Sequence, residues 1–434
     1  MSSPRQFAGP ETPTWTRAQA AGIERTDSNV APVFYPPPEK ADPSVHVWDT
    51  WPLRNRDGSL AEVGGYRVVF SLTAPADLLP GKRHDVATIR YFYSADGETW
   101  TLGGRAFDGG ALGSRQWAGS ALLDDGDLYL YYTAAGRAGE EHLSYGQRLA
   151  MATGGDVSAD DSGVSIKGPM DHRVLLEPDG ERYEQEHQSR GQIYTFRDPW
   201  FYEDGATGET YLLFEANTPV PEGSDRCGGD AEQQAFNGSV GIAHSPTGDP
   251  TDWELRDPLL DAVCVNQELE RPHLLERDDR YYLFVSSHKH TFAPGLEGPD
   301  GLYGFVADSL FGEYRPLNGH GLVLTNPTNA PFQSYSYVVV DHPEDPLVTS
   351  FLGYVDYDRE SLDDVALLPE AEQFRRFGGT FAPTVRLGLD GDRSWLSAKY
   401  GHGFLPLAHE SLPDDPFEGV VEAGDERRGY TARE

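Results

Sequence analysis

Short aromatic and aliphatic runs recur along the chain, each after a turn that contains glycine or aspartate. Apolar runs of this length, bounded by turn residues, predict buried β-strands. The five clearest runs cover residues 65–70, 127–132, 210–214, 281–285 and 348–352. Their starts lie about 60 to 80 residues apart, which is the length of one four-stranded sheet with its loops.

Five such units predict an all-β fold, a five-bladed β-propeller, because radial repetition leaves only short and protected sheet edges. The starts of the blades would converge on a central, funnel-shaped active site. The 48 glycines and 32 prolines favour many turns and short strands. A two-domain β-sandwich is the alternative. Helical periodicity is scarce, and residues 359–377 are the best helix candidate, predicted as a surface insertion.

Composition divides the chain into three parts. Residues 1–44 are polar and rich in proline, and they are predicted to form an arm over the body of the protein. Residues 45–410 contain all the strand runs and form the predicted catalytic propeller. Residues 411–434 form an acidic C-terminal segment with few apolar side chains.

The charge balance is strongly acidic, with 35 basic against 70 acidic residues and a formal net charge of −35. Such a field repels nucleic acid and anionic lipid, so neither is an expected partner. In molar salt the Debye length falls to about 3 Å, which screens the self-repulsion. Only five residues are lysine, and acidity alone does not explain that depletion. The composition therefore predicts a halophilic protein, with an ordinary acidic protein as the alternative.

The first 15 residues contain neither an apolar core nor a twin-arginine pair, so no signal peptide is predicted. No run of about 18 apolar residues predicts a membrane span. An extracellular location is still expected, through a leader that this sequence does not include, and a cytoplasmic location is the alternative. Cys227 and Cys264 are too far apart in sequence to form a close-spaced metal pair, and their spacing leaves a disulfide and two free thiols equally open.

Three acidic residues lie in unusual settings, and the first two are Asp49 and Asp198. Asp49 is flanked by Trp48 and Trp51, whose flat apolar surfaces suit the C–H faces of a sugar. Asp198 follows Arg197, whose charge is expected to lower the pKa of the carboxyl group and keep it ionised. A structural aspartate beside core tryptophans and a strand-to-turn Arg-Asp-Pro sequence are the competing interpretations.

The third candidate is Glu270, which would share a strand face with Glu268 by the period-two rule. Two like charges on one face raise the pKa of one of them, as a general acid requires. A solvated charged face is the alternative. Together Asp49, Asp198 and Glu270 fit a retaining glycosidase, in which one carboxylate attacks the anomeric carbon and another protonates the leaving oxygen.

Other motifs are weaker. His288 and His290 fall short of a full metal-ligand set. The sequence from Trp117 to Ser120 lacks the glycine that precedes the serine of a nucleophile elbow. Three aspartates in a glycine- and serine-rich loop lack EF-hand spacing; they are Asp156, Asp160 and Asp161. No metal and no cofactor are therefore expected.

Nine motifs carry a resemblance to a known family. They are VWDTWP at 47–52, QWAGSA at 116–121, FRDPW at 196–200, YLLFEANT at 211–218, ELERPH at 268–273, HTFAPG at 290–295, GLYGFVADSLFGEYRPLNGHGLVL at 301–324, SYSY at 334–337 and FGGTFAPTV at 377–385. As a set they resemble glycoside hydrolase family 68, the levansucrases and inulosucrases, and above all its versions from halophilic archaea and Gram-negative bacteria. The resemblance runs from about residue 48 to residue 385.

The resemblance implies a role for each matching residue. Asp49 would be the nucleophile that forms the fructosyl-enzyme, Glu270 the general acid/base, and Asp198 the group that holds fructosyl hydroxyls and stabilises the transition state. The residues implied to line the fructosyl subsite are Trp48, Trp117 and Arg197. Those implied to orient the glucosyl leaving group or the acceptor are Glu268, Arg271 and Tyr335, with His290 on the acceptor side.

The chain departs from the family pattern at two positions. Ala118 stands where many relatives have a serine that hydrogen-bonds near the nucleophile, so the site is rewired or the balance of hydrolysis and transfer shifts. Gln267 stands where calcium-binding members have an aspartate, which argues against that calcium. Some members without calcium fasten the region with a disulfide, and the resemblance implies that Cys227 and Cys264 form such a pair.

The predicted function is a sucrose-dependent fructosyltransferase that makes fructan and fructooligosaccharides and releases glucose. The motifs do not separate it from a β-fructofuranosidase that mainly hydrolyses sucrose. An inactive carbohydrate-binding propeller is the third alternative. Sucrose and fructan acceptors are the expected partners, and a monomer is the expected assembly. The linkage stays open, with a slight preference for inulosucrase.

Overall fold

The strands form five blades, each with four main antiparallel strands in chain order, and the first two blades are joined into one ten-stranded sheet. The computed structural model describes residues 12–107, 109–167, 170–359 and 361–413. Blade 1 contains β1 (Val45–Arg54), β2 (Glu62–Val63), β3 (Tyr66–Pro75), β4 (Thr88–Ser94) and β5 (Thr101–Arg105). Blade 2 contains β6 (Arg115–Asp124), β7 (Asp127–Ala135), β8 (Gln147–Asp160), β9 (Gly163–Lys167) and β10 (Asp171–Leu176).

The remaining three blades repeat the same order. Blade 3 contains β11 (Phe196–Glu203), β12 (Thr210–Asn217), β13 (Gly238–His244), β14 (Glu254–Leu255) and β15 (Leu260–Asp261). Blade 4 contains β16 (Glu270–Arg277), β17 (Arg280–Ser287), β18 (Gly301–Ala307), β19 (Arg315–Pro316) and β20 (Leu322–Thr325). Blade 5 contains β21 (Ser334–Val340), β22 (Leu347–Tyr354), β23 (Phe377–Phe381), β24 (Pro383–Asp390) and β25 (Arg393–His402).

The first strand of each blade lies innermost, and these five strands close a ring. Strand β1 contacts β6, β6 contacts β11, β11 contacts β16, β16 contacts β21, and β21 contacts β1. Blades 1 and 2 are also joined by a short parallel pairing of β1 with β6. The prediction of a five-bladed β-propeller is therefore confirmed.

The five apolar runs seen in the sequence fall on the second strand of each blade, in β3, β7, β12, β17 and β22. These strands are buried on both faces, because the neighbouring blades cover them. In β12 and β17 nearly every residue is buried. Strands enclosed in this way read as continuous hydrophobic runs rather than as alternating patterns. Burial of their side chains supplies the hydrophobic free energy that holds adjacent blades together.

Each innermost strand contains one extra residue relative to its partner, and this β-bulge lies at the same place in all five blades. The register slips between residues 48 and 51, 117 and 119, 197 and 200, 270 and 273, and 335 and 338. In four blades a bulged residue has a positive φ between 47° and 60°; these residues are Asp49, Asp198, Arg271 and Ser336. A bulge re-aims the side chains beside it, so the inner strands of blades 1, 3, 4 and 5 present polar groups at one end of the ring, and that of blade 2 presents Trp117 and Ala118.

The described part of the N-terminal arm, residues 12–44, packs against the outside of the blades. Trp15 is buried against Phe292, Tyr303 and Phe305 of blade 4. Phe34 packs into the core shared by blades 4 and 5. Residues 1–11 of the predicted arm and residues 414–434 of the predicted acidic segment lie outside the described residues.

The long helix predicted over residues 359–377 is wrong in extent. The described part of the segment contains a 3₁₀ turn at Asp363–Leu367 and a short helix at Glu370–Arg376, and residue 360 lies outside the described residues. Pro369 separates the two pieces, because proline has no N–H to donate and holds the residue before it in an extended conformation. Leu368 accordingly has ψ 150°. The α-helices within the described residues are α1 (Arg17–Ala20), α2 (Ala231–Gln234) and α3 (Glu370–Arg376).

Cys227 and Cys264 form a disulfide, which resolves the alternatives that spacing left open. The bond ties the loop after β12 to the segment that leads into β16, six residues before Glu270. Among the described residues, no helix has the length and apolar character needed to cross a membrane.

Candidate active site

The bulges place two consecutive residues of every inner strand around the funnel end of the ring. The residues before the bulge are Trp48, Trp117, Arg197, Glu270 and Tyr335. The residues that follow them are Asp49, Ala118, Asp198, Arg271 and Ser336. Every predicted site residue except Glu268 and His290 occupies one of these two positions. The carboxylates predicted from the sequence therefore come from blades 1, 3 and 4, while blade 2 contributes Trp117 beside them.

Arg197 gathers three carboxylates. Its Nε donates to Glu215 at 2.7 Å, and its Nη2 donates to Glu268 at 2.8 Å and to Glu270 at 3.0 Å. Glu268 lies before the start of β16, so the two glutamates converge through the guanidinium group rather than through a shared strand face. Burial, followed by the charge of Glu270, raises the pKa of Glu268 to about 7.

Glu270 is held from its other side by blade 5. The Tyr335 hydroxyl donates a hydrogen bond to Oε2 of Glu270, and His288 Nε2 lies 3.9 Å from the same oxygen. The rings of His288 and Tyr335 stack with their centres 3.8 Å apart. Glu270 thus has Arg197 on one carboxylate oxygen and a phenol with an imidazole on the other. Such fixed partners orient a proton-transferring carboxyl group.

His288 carries a positive charge at neutral pH. Burial alone would lower its pKa, but Asp300 opposes this through its charge and a 2.8 Å hydrogen bond to Nδ1. With the added charges of Glu270 and Glu268, the pKa of His288 rises to about 9. The imidazolium therefore faces the acid/base candidate and adds a positive charge to the funnel.

The pKa of the Asp49 carboxyl group lies above its ordinary value, although two neighbouring groups favour the ionised form. Burial raises the pKa of its carboxyl group, and the charge of Glu270 adds to that effect. The charge of Arg271 and a hydrogen bond from the Ser336 hydroxyl lower it. Ala118 can offer no hydroxyl at the neighbouring bulge, so the serine contact to the nucleophile candidate comes from blade 5 in this chain.

Arg271 ties its own strand, β16, to three other inner strands beside the site. Its Nη1 donates to the carbonyl and hydroxyl oxygens of Ser336 at 3.0 Å and 2.8 Å, and its Nη2 donates to the carbonyl oxygen of Thr50 at 2.8 Å. Its backbone N–H donates to Asp198 at 3.1 Å. The side chain is buried, with 4% exposed, so its donors fix the positions of the residues around Asp49.

The pKa of Asp198 differs from the expectation drawn from the sequence. The pKa of its carboxyl group is raised, to about 6, and not lowered. Burial of the carboxyl group is the largest cause and outweighs the attraction of Arg197, whose Nε lies 4.0 Å away. The negative charge of Glu270 acts in the same direction as burial. Sequence adjacency to an arginine did not predict how deeply the carboxyl group lies.

A cavity of about 230 Å³ opens between these groups and an aromatic wall. Its polar side includes Asp49, Glu270, His288 and Tyr335. Its apolar side is formed by side chains of blade 5 and its insertion; they are Phe332, Phe351, Tyr354, Leu362 and Phe377. The combination of charged groups and flat apolar surface suits a sugar ring.

Two of the predicted binding residues lie differently from the inner-strand set. His290 is exposed and stacks on His288 with ring centres 5.2 Å apart, so it lies behind the histidine that lines the cavity. Trp117 lies at the rim, where its indole N–H donates to the carbonyl oxygen of His84 at 3.2 Å. Trp48 is fully buried beside Asp49.

The donor atoms of Glu268, Glu270 and His288 lie within 4.8 Å of one another, close enough to share a metal ion. Arg197 already donates to both carboxylates, and His288 is protonated, so this group is neutralised by cations of the protein. Gln267, at the position of the calcium-binding aspartate, donates to the carbonyl oxygen of Ile193 at 2.8 Å and accepts from the N–H of Gln192 at 3.1 Å.

Three residues of the site were not predicted from the sequence as catalytic or binding groups. His288 was weighed only as a metal ligand, yet it directly follows β17, whose end reaches the funnel. Glu215 is an acidic residue inside an otherwise apolar strand, and it pairs directly with Arg197 across β11 and β12. Ser336 lies within the SYSY motif. Knowing the strand pairing would have pointed to all three.

Comparison with known proteins agrees with this geometry. The family model for glycoside hydrolase family 68, described as levansucrase/invertase, matches residues 5–406. The levansucrase Lscbeta of Pseudomonas syringae pv. actinidiae is 38% identical, over 91% of this chain and 93% of that protein.

Two solved structures are also similar to this chain. An inulosucrase from Halalkalicoccus jeotgali bound to kestose is 68% identical, with a TM-score of 0.92 over 93% of this chain and 99% of that chain. The β-fructofuranosidase catalytic domain of Microbacterium saccharophilum K-1 is 30% identical, with a TM-score of 0.78 over 91% and 94% of the two chains. The chain belongs to glycoside hydrolase family 68, the levansucrase/invertase family.

Proposed function

We propose that this protein is a retaining fructosyltransferase that uses sucrose as its donor. The observation that carries the proposal is the pairing of Asp49 with Glu270 in one cavity, each held by its own set of donors. A retaining enzyme needs one carboxylate as nucleophile and a second as acid and then base. The names of the similar proteins, levansucrase and inulosucrase, describe the same chemistry.

In the first half-reaction the Asp49 carboxylate attacks C2 of the fructosyl group. The bond from C2 to the glucosyl oxygen breaks, and Glu270 gives its proton to that oxygen, so glucose leaves. Arg197 and His288 offset the charge that then remains on Glu270. Asp198, at the next bulge, holds fructosyl hydroxyl groups and stabilises the positive charge that develops on the ring.

In the second half-reaction Glu270 takes the proton of an acceptor hydroxyl group. The acceptor oxygen attacks C2, and Asp49 leaves as a free carboxylate. Sucrose or a growing fructan as acceptor gives transfer, whereas water gives hydrolysis. In this proposal His288, Tyr335 and Glu268, which surround Glu270, orient the acceptor, and Trp48 and Trp117 line the fructosyl subsite.

Transfer to the 1-hydroxyl group of fructose, which makes inulin-type products, is the proposed linkage. It is supported by the 68% identity to an inulosucrase whose structure holds kestose. A β-fructofuranosidase is the alternative, because a protein of that name shares the fold at 30% identity. An inactive binding propeller is disfavoured, since both carboxylates are present and held.

The test is incubation of the purified protein with sucrose in molar sodium chloride. If transfer takes place, more free glucose than free fructose should accumulate. NMR of the product should then show β-2,1 linkages. Equal amounts of the two sugars would instead assign hydrolysis, and the absence of glucose release would overturn the proposal. We further propose that the protein is secreted, acts as a monomer and gains activity as salt rises into the molar range.

A further inference from the structure

The loop that joins β7 to β8, residues 136–146, exposes two large apolar side chains. The exposed fractions of Leu143 and Tyr145 are 45% and 53%. The loop lies at the funnel end of the ring, because Ala135 at the end of β7 pairs with Arg115, two residues before Trp117. The sequence pattern assigned no role to this loop.

A buried arginine fastens the loop from below. Arg115 is 1% exposed; its Nη1 donates to Glu140 at 3.2 Å and its Nη2 donates to the carbonyl oxygen of Ser144 at 2.7 Å. The Ser144 hydroxyl group donates to Glu140 as well, and the N–H of Gly136 donates to the carbonyl oxygen of Gly146 at 2.9 Å. A buried charge is tolerated when it is paired and hydrogen-bonded, and here the partners of the charge hold a surface loop in one conformation.

The same arginine connects Tyr145 with the active site. The guanidinium carbon of Arg115 lies 5.3 Å from the ring centre of Trp117 and 4.9 Å from that of Tyr145. The two ring centres are therefore at most about 10 Å apart, a gap that a short oligosaccharide can span. Because Trp117 lies at the rim of the funnel, Tyr145 continues the aromatic lining of the site outward over blade 2.

We propose that Tyr145 is a stacking platform for a distant fructosyl unit of the acceptor chain. The proposal rests on the transferase function proposed above and adds a subsite to it. An acceptor longer than the cavity must extend across the rim, where Trp117 and Tyr145 follow one another. The tyrosine ring offers a rigid apolar face to the C–H groups of a sugar, and its hydroxyl group stays free to form a hydrogen bond. The fixed loop lowers the entropic cost of binding.

The surroundings of Tyr145 fit a neutral sugar chain. Arg115 and Glu140 form an ion pair beneath the loop, and the net charge of −35 repels an anionic ligand. A second copy of the chain is not the expected occupant, because two exposed side chains bury far less than the about 1,000 Å² that a specific protein interface needs. The loop would thus retain longer acceptors and favour longer products.

Titration calorimetry in the Asp49→Ala background tests the platform without turnover of the ligand. The probes are kestose and a longer fructooligosaccharide, and the longer one should bind about three- to tenfold more tightly. Adding Tyr145→Ala should abolish that advantage, whereas Tyr145→Phe, which keeps the ring, should retain most of it. No advantage of the longer sugar before Tyr145 is changed, or an equal advantage in Tyr145→Ala, would overturn the proposal.

Tyr35→Ala is the matched control for these variants. Tyr35 is 70% exposed on the N-terminal arm, where its carbonyl oxygen contacts His402 of the outermost strand of blade 5. The same substitution there should leave the advantage of the longer sugar unchanged. Loss of the advantage in Tyr35→Ala as well would assign it to a general effect of removing an exposed ring, and the platform would be rejected.

The length of the products gives the second readout. With Asp49 intact, products made from sucrose are compared at equal amounts of glucose released, and the longest fructooligosaccharides should be lost in Tyr145→Ala and kept in Tyr35→Ala. An unchanged length distribution in Tyr145→Ala would contradict the role of the platform in transfer. If the unmodified protein releases no glucose, the proposed function fails, and the binding experiment then decides the platform by itself.

Discussion

The innermost strand and the second strand of each blade differ in what their sequences specify. The second strands β12 and β17 are regular, buried along nearly their whole length and mostly apolar. The inner strands β11 and β16, their direct neighbours, each contain an extra residue and carry Arg197, Asp198, Glu270 and Arg271 around it. The same antiparallel pairing therefore supports a regular core on one side and an irregular, charged funnel on the other.

The second strands supply stability, and the inner strands carry the groups that are proposed to do the chemistry. Left-handed backbone at Asp49 and Asp198 is costly for residues other than glycine, and the well-packed second strands can hold it in place. The inner strands are thus free to differ between blades, as Ala118 in blade 2 and Ser336 in blade 5 do. Substitutions in the two strand types should consequently have separable effects.

The largest effect is expected from the inner strand of blade 1. Asp49→Ala removes the proposed nucleophile, and kcat for glucose release from sucrose should fall by about 10⁴- to 10⁶-fold. The melting temperature should change little, because the Asp49 side chain is only half-buried. Glucose release and thermal unfolding measured on the same preparation check both expectations. Glucose release near the unmodified rate would refute the assignment.

A second-strand substitution should show the reverse pattern. Leu283 in β17 is fully buried, and Leu283→Ala should lower the free energy of unfolding by about 2–5 kcal/mol because it leaves a cavity. The kcat of the folded fraction should stay within about twofold. Leu283→Met, which nearly conserves volume, is the matched control and should cost less than about 1.5 kcal/mol. A selective loss of kcat in Leu283→Ala would break the distinction between the strands.

An intermediate effect is expected from Ser336, whose hydroxyl group donates to Asp49. Ser336→Ala removes the hydroxyl group that donates to Asp49, and loss of a hydrogen bond to a charge should lower kcat about 10- to 100-fold. Because that bond lowers the pKa of Asp49, the acidic limb of the pH profile should move to higher pH. Adding Ala118→Ser should recover part of the activity. An unchanged acidic limb would show that Ser336 does not act on Asp49.

The smallest effect at neutral pH concerns His288. Its pKa of about 9 lies above the ordinary value of 6.5, so its contribution to stability is complete below about pH 6.5 and is lost as pH rises through about 9. Activity should fall over the same alkaline range. His288→Arg keeps the positive charge, so its profile from pH 6 to 10 should extend to higher pH. An identical alkaline fall in both proteins would assign that fall to another group.

The fold can be predicted from the sequence because the second strand of each blade is a continuous apolar run that is easy to recognise. Their apolar runs repeat at a regular spacing, and Pro369 marks a helix break that the sequence could also have predicted. The bulges are not readable in the same way, since an extra residue exists only relative to a partner strand. The pKa of Asp198 depends on burial, and the role of His288 depends on Asp300, which lies 12 residues further along the chain, directly before β18. Motif resemblance named most of the site, but only the strand pairing explains why those residues meet.

The central claim is that Asp49 becomes covalently bonded to the fructosyl group. The most direct measurement is mass spectrometry of peptides from the Glu270→Gln variant, mixed with sucrose and quenched in acid within a fraction of a second. That variant should form the intermediate slowly and break it down more slowly still. The prediction is a mass increase of one anhydrofructose on the peptide that contains Asp49, absent from Asp49→Ala. The same increase on a peptide without Asp49 would contradict it.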